Sequence, residues 1–317
     1  MKAVQAPTLA DIRAARERIS GSAIRTPLIR LNAEDAPAEI YLKLENLQPI
    51  GSFKIRGAAN AMRLVGKEKF SNGVYTASAG NMAQGVAWNA REMGLPCEVI
   101  VPDRAPETKL AAIKRLGGKV VKVPFDEWWQ VIIEHTYPGI DSFFIHPVSD
   151  SAVIAGNGTI GLEILEDLPE VETIVIPFGG GGLSSGIAAA IRSLKSNTRI
   201  YACEVETAAP LKASLKAGAP LTVEYIPSFV DGIGGRSILE EMWPLVSNLI
   251  DDSLVVSLQQ VSQALKLLIE RNRVIAEGAG AAAVAAALSG MAGSGKIVCI
   301  VSGGNIDSDK LAEIIST

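Results

Sequence analysis

The segment Thr173-Ile-Val-Ile-Pro-Phe-Gly-Gly-Gly-Gly-Leu-Ser-Ser-Gly186 joins a strand-like run to a helix-like run through four consecutive glycines. Its β-branched start is typical of a buried strand, and residues 183–194 have the pattern of a helix. Glycine has no side chain to obstruct an anion, so the loop amides and the positive end of the helix predict a phosphate site. The glycine spacing differs from that of nucleotide-binding loops, so a single phosphate fits better. A flexible loop is the alternative interpretation.

The same strand–loop–helix pattern recurs along most of the chain. Strands are expected at residues 40–44, 74–78, 98–101, 120–123, 143–146, 173–178, 199–204, 255–258 and 296–301. Helices are expected at residues 82–93, 107–116, 152–165, 183–194, 208–217, from 258 to about 273, and at 279–288. This alternation predicts an α/β fold with parallel sheets covered by helices on both faces. Loops near 71–73 and 147–151 predict two parallel-sheet-containing domains, a large one from residues 1–70 and 147–317 and a small one from residues 71–146.

The composition is that of a globular protein. Hydrophobic residues make up 48% and charged residues 20% of the 317 residues, and the net charge is -4. The sequence has no basic stripe, long apolar run or signal-peptide-like N-terminus, so we expect a cytoplasmic protein that binds neither nucleic acid nor membranes. Cys97, Cys203 and Cys299 lie in apolar runs and are expected to be buried free thiols. With only His135 and His146 present, a serine–histidine pair or a histidine-rich metal site is not expected.

Lys54 stands in an unusual local context. It follows a predicted strand, a Pro/Gly turn at Pro49 and Gly51, and a candidate helix N-cap at Ser52. It therefore lies in the first turn of a helix, where the positive end of the helix dipole disfavours a cation. An amine kept there is expected to have a lowered pKa, which frees its lone pair for Schiff-base formation. A lysine that reaches into solvent is the alternative.

Three further loops carry polar groups at strand or helix ends. The segment Ser78-Ala-Gly-Asn-Met82 lies between a strand and a helix, and its amides and the Asn81 side chain are candidates to bind a carboxylate. Ser302-Gly-Gly-Asn305 ends the last strand, at the sheet edge where such folds bind ligands. Glu277 begins the segment Glu277-Gly-Ala-Gly280 at a helix start. Ordinary helix capping and dipole stabilisation are the alternatives for these loops.

Taken together, the motifs resemble the fold-type II pyridoxal-phosphate enzymes, which have a tryptophan-synthase-β-like fold, and most closely their serine/threonine dehydratase and serine racemase branch. The matching segments, in family order, are Gly51-Ser-Phe-Lys-Ile-Arg-Gly57, Ser78-Ala-Gly-Asn81, the glycines 179–182, Glu277-Gly-Ala-Gly280 and Ser302-Gly-Gly-Asn305. The resemblance implies pyridoxal 5'-phosphate as cofactor, a homodimer, and a small mobile domain near residues 71–146 that closes on substrate.

The implied activity is dehydration of a β-hydroxy amino acid, such as L-threonine, L-serine or 3-hydroxyaspartate, to a 2-oxo acid and ammonia. An amino-acid racemase, a β-replacement synthase and a non-catalytic pyridoxal-phosphate-binding protein are the alternatives.

The resemblance also implies roles for individual residues. Lys54 corresponds to the Schiff-base lysine and general base, and Ser302 to the residue that faces the pyridine nitrogen. The remaining cofactor-binding residues implied are Phe53 beside the ring, Asn81 at the 3-hydroxyl, Gly179, Gly180, Gly181 and Gly182 at the phosphate, and Leu183, Glu277 and Gly303. The substrate carboxylate is expected at Ser78, Ala79, Gly80, Asn81 and Met82.

Two positions in the carboxylate loop depart from the branch. Ala79 stands where racemases place a serine that acts as base on the opposite face of the cofactor ring, so dehydration is favoured over racemisation. Met82 stands in place of a common histidine, which changes the shape and polarity of the pocket.

A third departure concerns the divalent-cation site of the branch. It corresponds here to Glu204 and the carbonyl of Ala208, but the third ligand position is Pro210, so binding of Mg²⁺ or Ca²⁺ is left open. Glu206 is the candidate replacement ligand.

The other expectations concern specificity and regulation. Arg236 is a candidate partner for a side-chain carboxylate of the substrate, with a solvent-facing arginine as the favoured alternative. Trp128 and Trp129 are expected to be packing residues rather than a substrate platform. The chain stops at Thr317, so a C-terminal regulatory domain and control by isoleucine are not expected.

Overall fold

The structure is a computed structural model and describes residues 2–316. The strands of this part of the chain are β1 (Leu28–Arg30), β2 (Glu39–Leu44), β3 (Val74–Ala77), β4 (Cys97–Pro102), β5 (Lys119–Val123), β6 (Phe143–Phe144), β7 (Thr173–Pro177), β8 (Arg199–Val205), β9 (Asp252–Val256) and β10 (Lys296–Val301). Its α-helices are α1 (Leu9–Ile19), α2 (Lys54–Val65), α3 (Asn81–Met93), α4 (Glu107–Arg115), α5 (Phe125–Glu134), α6 (Ser151–Asp167), α7 (Gly182–Leu194), α8 (Pro210–Ala217), α9 (Trp243–Leu249), α10 (Leu258–Leu267), α11 (Gly278–Leu288) and α12 (Ser308–Ser316).

A six-stranded sheet has the order β1-β2-β10-β7-β8-β9, and all its neighbouring strands are parallel except β1 and β2. Helices α1, α6, α7 and α9 pack on one face, and α10 and α11 pack on the other. Every residue of β7 is buried, as expected for a parallel strand covered on both faces. The last strand, β10, lies between β2 and β7, so the carboxyl ends of these three strands open at one edge, where such sheets bind ligands.

A second, four-stranded sheet has the order β5-β4-β3-β6 and is entirely parallel. Its strands lie between Val74 and Phe144. Helix α3, which follows β3, packs against α2, and a Cβ at Gly85 would lie only 3.1 Å from the Lys54 carbonyl oxygen. The α/β fold with parallel sheets is therefore confirmed, while the domain division at residues 71–146 and its mobility stay predictions.

Several elements differ from expectation. The strand expected at 255–258 is β9, which ends at Val256 because the Ser257 side chain accepts a hydrogen bond from the Gln260 backbone and caps α10. Helix α10 ends at Leu267 and continues as a π-helical turn, Leu268–Asn272. Sequence patterns had not indicated α1, β1, α5, α9 or α12.

The three cysteines are buried and free, as predicted. Within residues 2–316 each helix is either too short or too polar to cross a lipid bilayer.

Candidate active site

A cavity of about 460 Å³ lies where the open edge of the six-stranded sheet faces the second sheet. Most of the residues predicted for the site line it, namely Phe53, Lys54, Ser78, Ala79, Gly80, Asn81, Met82, Gly179, Gly180, Gly181, Gly182, Leu183, Glu277 and Ser302. Gly303 stands behind this wall, where a Cβ would lie 2.6 Å from Glu277 Oε1. Met82 contributes little surface, because its side chain is buried in the core around α2 and α3.

Lys54 is the first residue of α2, and its backbone N–H donates to Ser52 Oγ at 3.2 Å. The side-chain Nζ donates to the Pro147 carbonyl oxygen at 3.0 Å. Desolvation in the cavity lowers the pKa of Lys54 to about 8, and the Glu277 carboxylate partly opposes this shift. An amine with this pKa is neutral, and therefore nucleophilic and basic, far more often at neutral pH than a surface lysine.

The glycine loop separates β7 from α7, a helix that begins at Gly182. Gly181 has φ +93, and a Cβ there would lie 2.7 Å from Val246 Cγ2. A Cβ at Gly180 would lie 2.6 Å from Val148 Cγ1. Side chains are thus excluded by both backbone conformation and space, which leaves main-chain amides at the start of a 13-residue helix available to an anion.

Asn81 is held by two partners. Its Nδ2 donates to Glu277 Oε1 at 2.9 Å, and its Oδ1 accepts from Asn305 Nδ2 at 2.8 Å. Asn305 also donates to the Ile50 carbonyl oxygen at 2.9 Å. Burial is the main cause that raises the pKa of Glu277 to about 7, and the Asn81 hydrogen bond opposes it. The hydrogen bonds to Glu277 and Asn305 therefore orient the Asn81 side chain before any ligand binds. Asn305 is the last residue of the Ser302-Gly-Gly-Asn305 motif.

Ser302 brings two distant motifs together. Its backbone carbonyl accepts from the Phe53 N–H at 3.0 Å, and Ser52 pairs with Gly303 in an antiparallel bridge. The end of β10 therefore runs beside the residue that precedes Lys54, which places the Ser302 and Lys54 side chains on one cavity wall.

Sequence reasoning missed several wall residues. Residues 218–242, all described, contain no helix or strand, yet Tyr225, Asp231, Gly232 and Ile233 line the cavity. Such a long irregular segment is usually functional, and its length was the available signal. Trp128 and Trp129 both pack beside the second sheet, as expected, and Trp128 also lines the cavity with Phe125. Arg236 is exposed and lies outside the cavity wall, so the carboxylate-binding hypothesis for it has no geometric support.

The carboxylates of the implied cation site already accept hydrogen bonds from the protein. Glu204 Oε1 accepts from the Leu211 N–H at 2.8 Å, and Oε2 accepts from the Lys212 N–H at 2.8 Å and from Ser253 Oγ at 2.6 Å. The carboxylate thus caps α8. Glu206 Oε1 accepts from the Leu258 N–H at 2.8 Å. Within residues 2–316 no cluster of three His, Cys, Asp or Glu side chains could hold a metal ion.

We expect the protein's stability to be independent of divalent cations, because the Glu204 oxygens already accept hydrogen bonds. Thermal unfolding should give the same Tm in EDTA, Mg²⁺ and Ca²⁺. A bound ion would instead raise the Tm in step with the logarithm of its concentration, since it stabilises only the folded state. Such a rise with Ca²⁺ would contradict this assignment.

The fold and cavity define a pyridoxal-phosphate enzyme, and the comparisons agree. Residues 19–303 match the family described as pyridoxal-phosphate dependent enzyme, and the chain belongs to this family. The predicted resemblance is therefore confirmed. The donor set also fits the cofactor, because one cavity is lined by a lysine amine of lowered pKa and by a glycine loop in which a Cβ at Gly180 or Gly181 would clash.

Within this family, the chain is similar to L-threonine ammonia-lyases and dehydratases and to a serine racemase. The chain is 41% identical to an L-threonine ammonia-lyase of Thermotoga maritima, over 98% of this chain and 78% of the relative. It is 38% identical to the catabolic L-threonine dehydratase TdcB of Escherichia coli, over 96% and 94%. Among solved structures, maize serine racemase superposes with a TM-score of 0.88 at 34% identity, covering 98% of each chain. The processed form of threonine deaminase isoform 2 from Solanum lycopersicum gives 0.87 at 34% identity, covering 97% of this chain and 91% of that one.

Proposed function

We propose that this protein is a pyridoxal-phosphate-dependent ammonia-lyase that dehydrates a β-hydroxy amino acid, with L-threonine as its main substrate, to a 2-oxo acid and ammonia. The observation that carries the proposal is the Lys54 amine, which has its pKa lowered to about 8 and shares one cavity with the glycine loop. Similarity to L-threonine ammonia-lyases and dehydratases over nearly the whole chain supports it.

In this proposal the amides of residues 179–182 would hold the cofactor phosphate, and Phe53, Asn81 and Ser302 would hold the ring, its 3-hydroxyl and its nitrogen. When bound, pyridoxal phosphate supplies an aldehyde that condenses with amines and a ring that withdraws electrons from the substrate α-carbon. Serine is neutral and does not keep a proton on the ring nitrogen as a carboxylate would. The environment at Ser302 therefore favours prompt loss of the β-hydroxyl.

Lys54 is the proposed base that takes the α-proton from the substrate. Its lowered pKa keeps a useful fraction of the amine neutral near neutral pH. In this proposal residues 78–82 hold the substrate carboxylate, chiefly through the N–H groups of Asn81 and Met82 at the start of α3, and so present the α-proton to one side of the cavity. The N–H groups of Ser78 and Gly80 already donate, to the Ile100 carbonyl and to Ser78 Oγ. Ala79 has no hydroxyl to return a proton on the other side, at the position where racemases of the branch have a serine. Elimination is therefore favoured over racemisation.

The far wall of the cavity supports a substrate with an uncharged side chain. This wall is mostly apolar and is formed by Pro102, Ala105, Pro106, Phe125, Trp128 and Tyr225. The cation on this side, Lys109, is paired with Asp231 at 2.5 Å. A β-methyl group can therefore be buried, whereas a second carboxylate meets no unpaired cation among the described residues of this far wall.

A substrate panel tests this function. We expect kcat/KM for 2-oxo acid release to be about tenfold higher for L-threonine than for L-serine, the usual value of one buried methyl group. We expect 3-hydroxyaspartate to be at least about 100-fold poorer than L-threonine, because its second carboxylate would be buried without a partner. Equal or better turnover of 3-hydroxyaspartate would contradict the assignment of the far wall.

The same assay separates the alternative functions. A racemase would form the D-enantiomer and exchange the α-proton with solvent without releasing ammonia. A β-replacement synthase would need a second nucleophile, and a non-catalytic binder would show the absorbance of bound cofactor but no turnover. Rapid release of ammonia and 2-oxo acid from L-threonine, with no second nucleophile added and no D-enantiomer formed, would contradict all three alternative functions.

The proposal also includes a cytoplasmic location and a homodimer. The three free thiols, Cys97, Cys203 and Cys299, support a reducing compartment, and resemblance to the family supports the dimer. Sedimentation velocity of the holoenzyme would test the oligomeric state.

A further inference from the structure

His135 and His146 lie together beside the cavity although they belong to none of the motifs. Their rings are stacked with centroids 4.2 Å apart. His146 is 3% exposed, and burial lowers its pKa to about 3, with His135 adding to the effect. The His146 imidazole is therefore neutral at physiological pH, with one nitrogen that donates and one that accepts.

The contacts of His146 determine which nitrogen is which. Nδ1 accepts from the Val148 N–H at 3.0 Å and the Ser149 N–H at 2.7 Å. Nε2 lies 3.0 Å from the Ile132 carbonyl oxygen, which can only accept, so Nε2 carries the proton. The ring thus ties the turn at residues 147–149 to Ile132 in α5. Ser149 Oγ lies 3.1 Å from Nδ1 and completes the cluster.

The turn held by His146 contacts the active site in two places. The Pro147 carbonyl accepts the hydrogen bond from Lys54 Nζ at 3.0 Å. Val148 lies under the glycine loop, so that a Cβ at Gly180 would be 2.6 Å from Val148 Cγ1 and one at Gly182 would be 3.2 Å from its carbonyl oxygen. A shift of this turn would therefore move both the acceptor of the lysine amine and the floor of the glycine loop.

We infer that His146 is a positioning residue: through two hydrogen bonds to the 147–149 turn, its Nδ1 sets the spacing between the Lys54 amine and the glycine loop. The inference rests on the proposed function, in which these two groups hold the same cofactor. In this role the hydrogen-bond acceptor at Nδ1 matters more than the volume of the ring or the donor at Nε2.

Two variants of His146 separate the two nitrogens. In His146→Asn the amide oxygen stands near the place of Nδ1 and can accept from the Val148 and Ser149 N–H groups, but the contact with Ile132 is lost. In His146→Gln the amide nitrogen stands near the place of Nε2 and can donate to Ile132, but the acceptor for the turn is lost. His135→Asn is the matched control, because His135 has φ 58 and asparagine tolerates this left-handed conformation.

The primary readout is the dissociation constant of pyridoxal phosphate, measured by titrating the apoenzyme without substrate. We expect His146→Gln to weaken binding about tenfold or more, because the buried Ser149 N–H and the part-buried Val148 N–H lose their acceptor, and His146→Asn to stay within about threefold of the wild type. His135→Asn should stay within about twofold. Turnover of L-threonine should follow the same order through kcat more than through KM.

A role in packing alone predicts the opposite order, because asparagine leaves the larger cavity. The inference would be overturned if His146→Asn bound pyridoxal phosphate as weakly as His146→Gln, or more weakly. It would also be overturned if both variants bound the cofactor as tightly as the wild type. If His146→Gln does not fold, Val148→Ala tests the turn directly: about fivefold weaker binding is expected, and an unchanged constant overturns the inference. Because the titration needs no substrate, a wild-type enzyme that binds cofactor but leaves L-threonine intact would contradict the proposed function alone.

Discussion

Replacement of Lys54 by alanine is expected to lower kcat/KM for L-threonine by at least about 10³-fold, the usual contribution of a positioned nucleophile and base. The Lys54 amine has a pKa of about 8, and it lines the same cavity as the glycine loop and Ser302. The variant should also lose the absorbance of the covalently bound cofactor. Steady-state release of 2-oxo acid and the absorbance spectrum of the purified protein provide the measurements.

Lys54→Arg is the matched control for charge. Its guanidinium keeps the positive charge but stays protonated at every accessible pH, so it is expected to be as inactive as the alanine variant. A small primary amine added to Lys54→Ala should restore part of the activity, because the substitution leaves space in the cavity, and should not restore Lys54→Arg. Activity of either variant within about tenfold of the wild type, without added amine, would show that Lys54 is not the base.

Arg56→Met is expected to reduce the free energy of unfolding by about 3–5 kcal/mol, the usual cost of removing one partner from a buried ion pair. Arg56 is 1% exposed, and its guanidinium donates to Glu45 Oε1 at 2.8 Å and to Glu163 Oε1 at 2.6 Å. Glu45 would be left buried without its ion-pair partner, and Glu163 would keep only Lys43, whose Nζ lies 2.6 Å from Glu163 Oε2. Denaturant unfolding followed by circular dichroism would measure the loss.

Arg63→Met, on the same helix, is the control. Arg63 is only partly buried and donates to the backbone carbonyls of Arg18 and Ser20, so its loss should cost less than about 1 kcal/mol. Similar losses for the two variants would contradict a special role for the buried network. Arg56 belongs to the same motif as Lys54, and the structure explains its presence: it holds in place the helix that carries the lysine.

Much of the fold could be predicted because its signals are local. β-Branched runs followed by glycine and then by a helical pattern specify a strand, a turn and a helix within about 20 residues, as β7 and α7 illustrate. Local signals gave the wrong end or type of an element where neighbouring residues favoured a different structure. Strand β9 ends early because Ser257 caps the next helix, and α5, which begins with Phe125, carries aromatic residues that suit a strand equally well.

The candidate site was predictable only in part. Five motifs in order indicated the cofactor, and the lysine, the glycine loop and Ser302 do line one cavity. The wall formed by Trp128 and Tyr225 and the turn behind His146 were not predicted, because neither segment has a sequence pattern tied to chemistry.

By itself, the sequence determined the residue types that the chemistry needs: a lysine at a helix start, glycines at an anion site, and alanine in place of a second base at position 79. The tertiary structure alone decided how these residues meet. Lys54 finds its acceptor 93 residues away at Pro147, and Asn81 finds Glu277 and Asn305 at separations of 196 and 224 residues. Local composition determines strands, turns and helices, but partners so far apart are chosen by the packing of whole sheets and helices, which no single segment encodes.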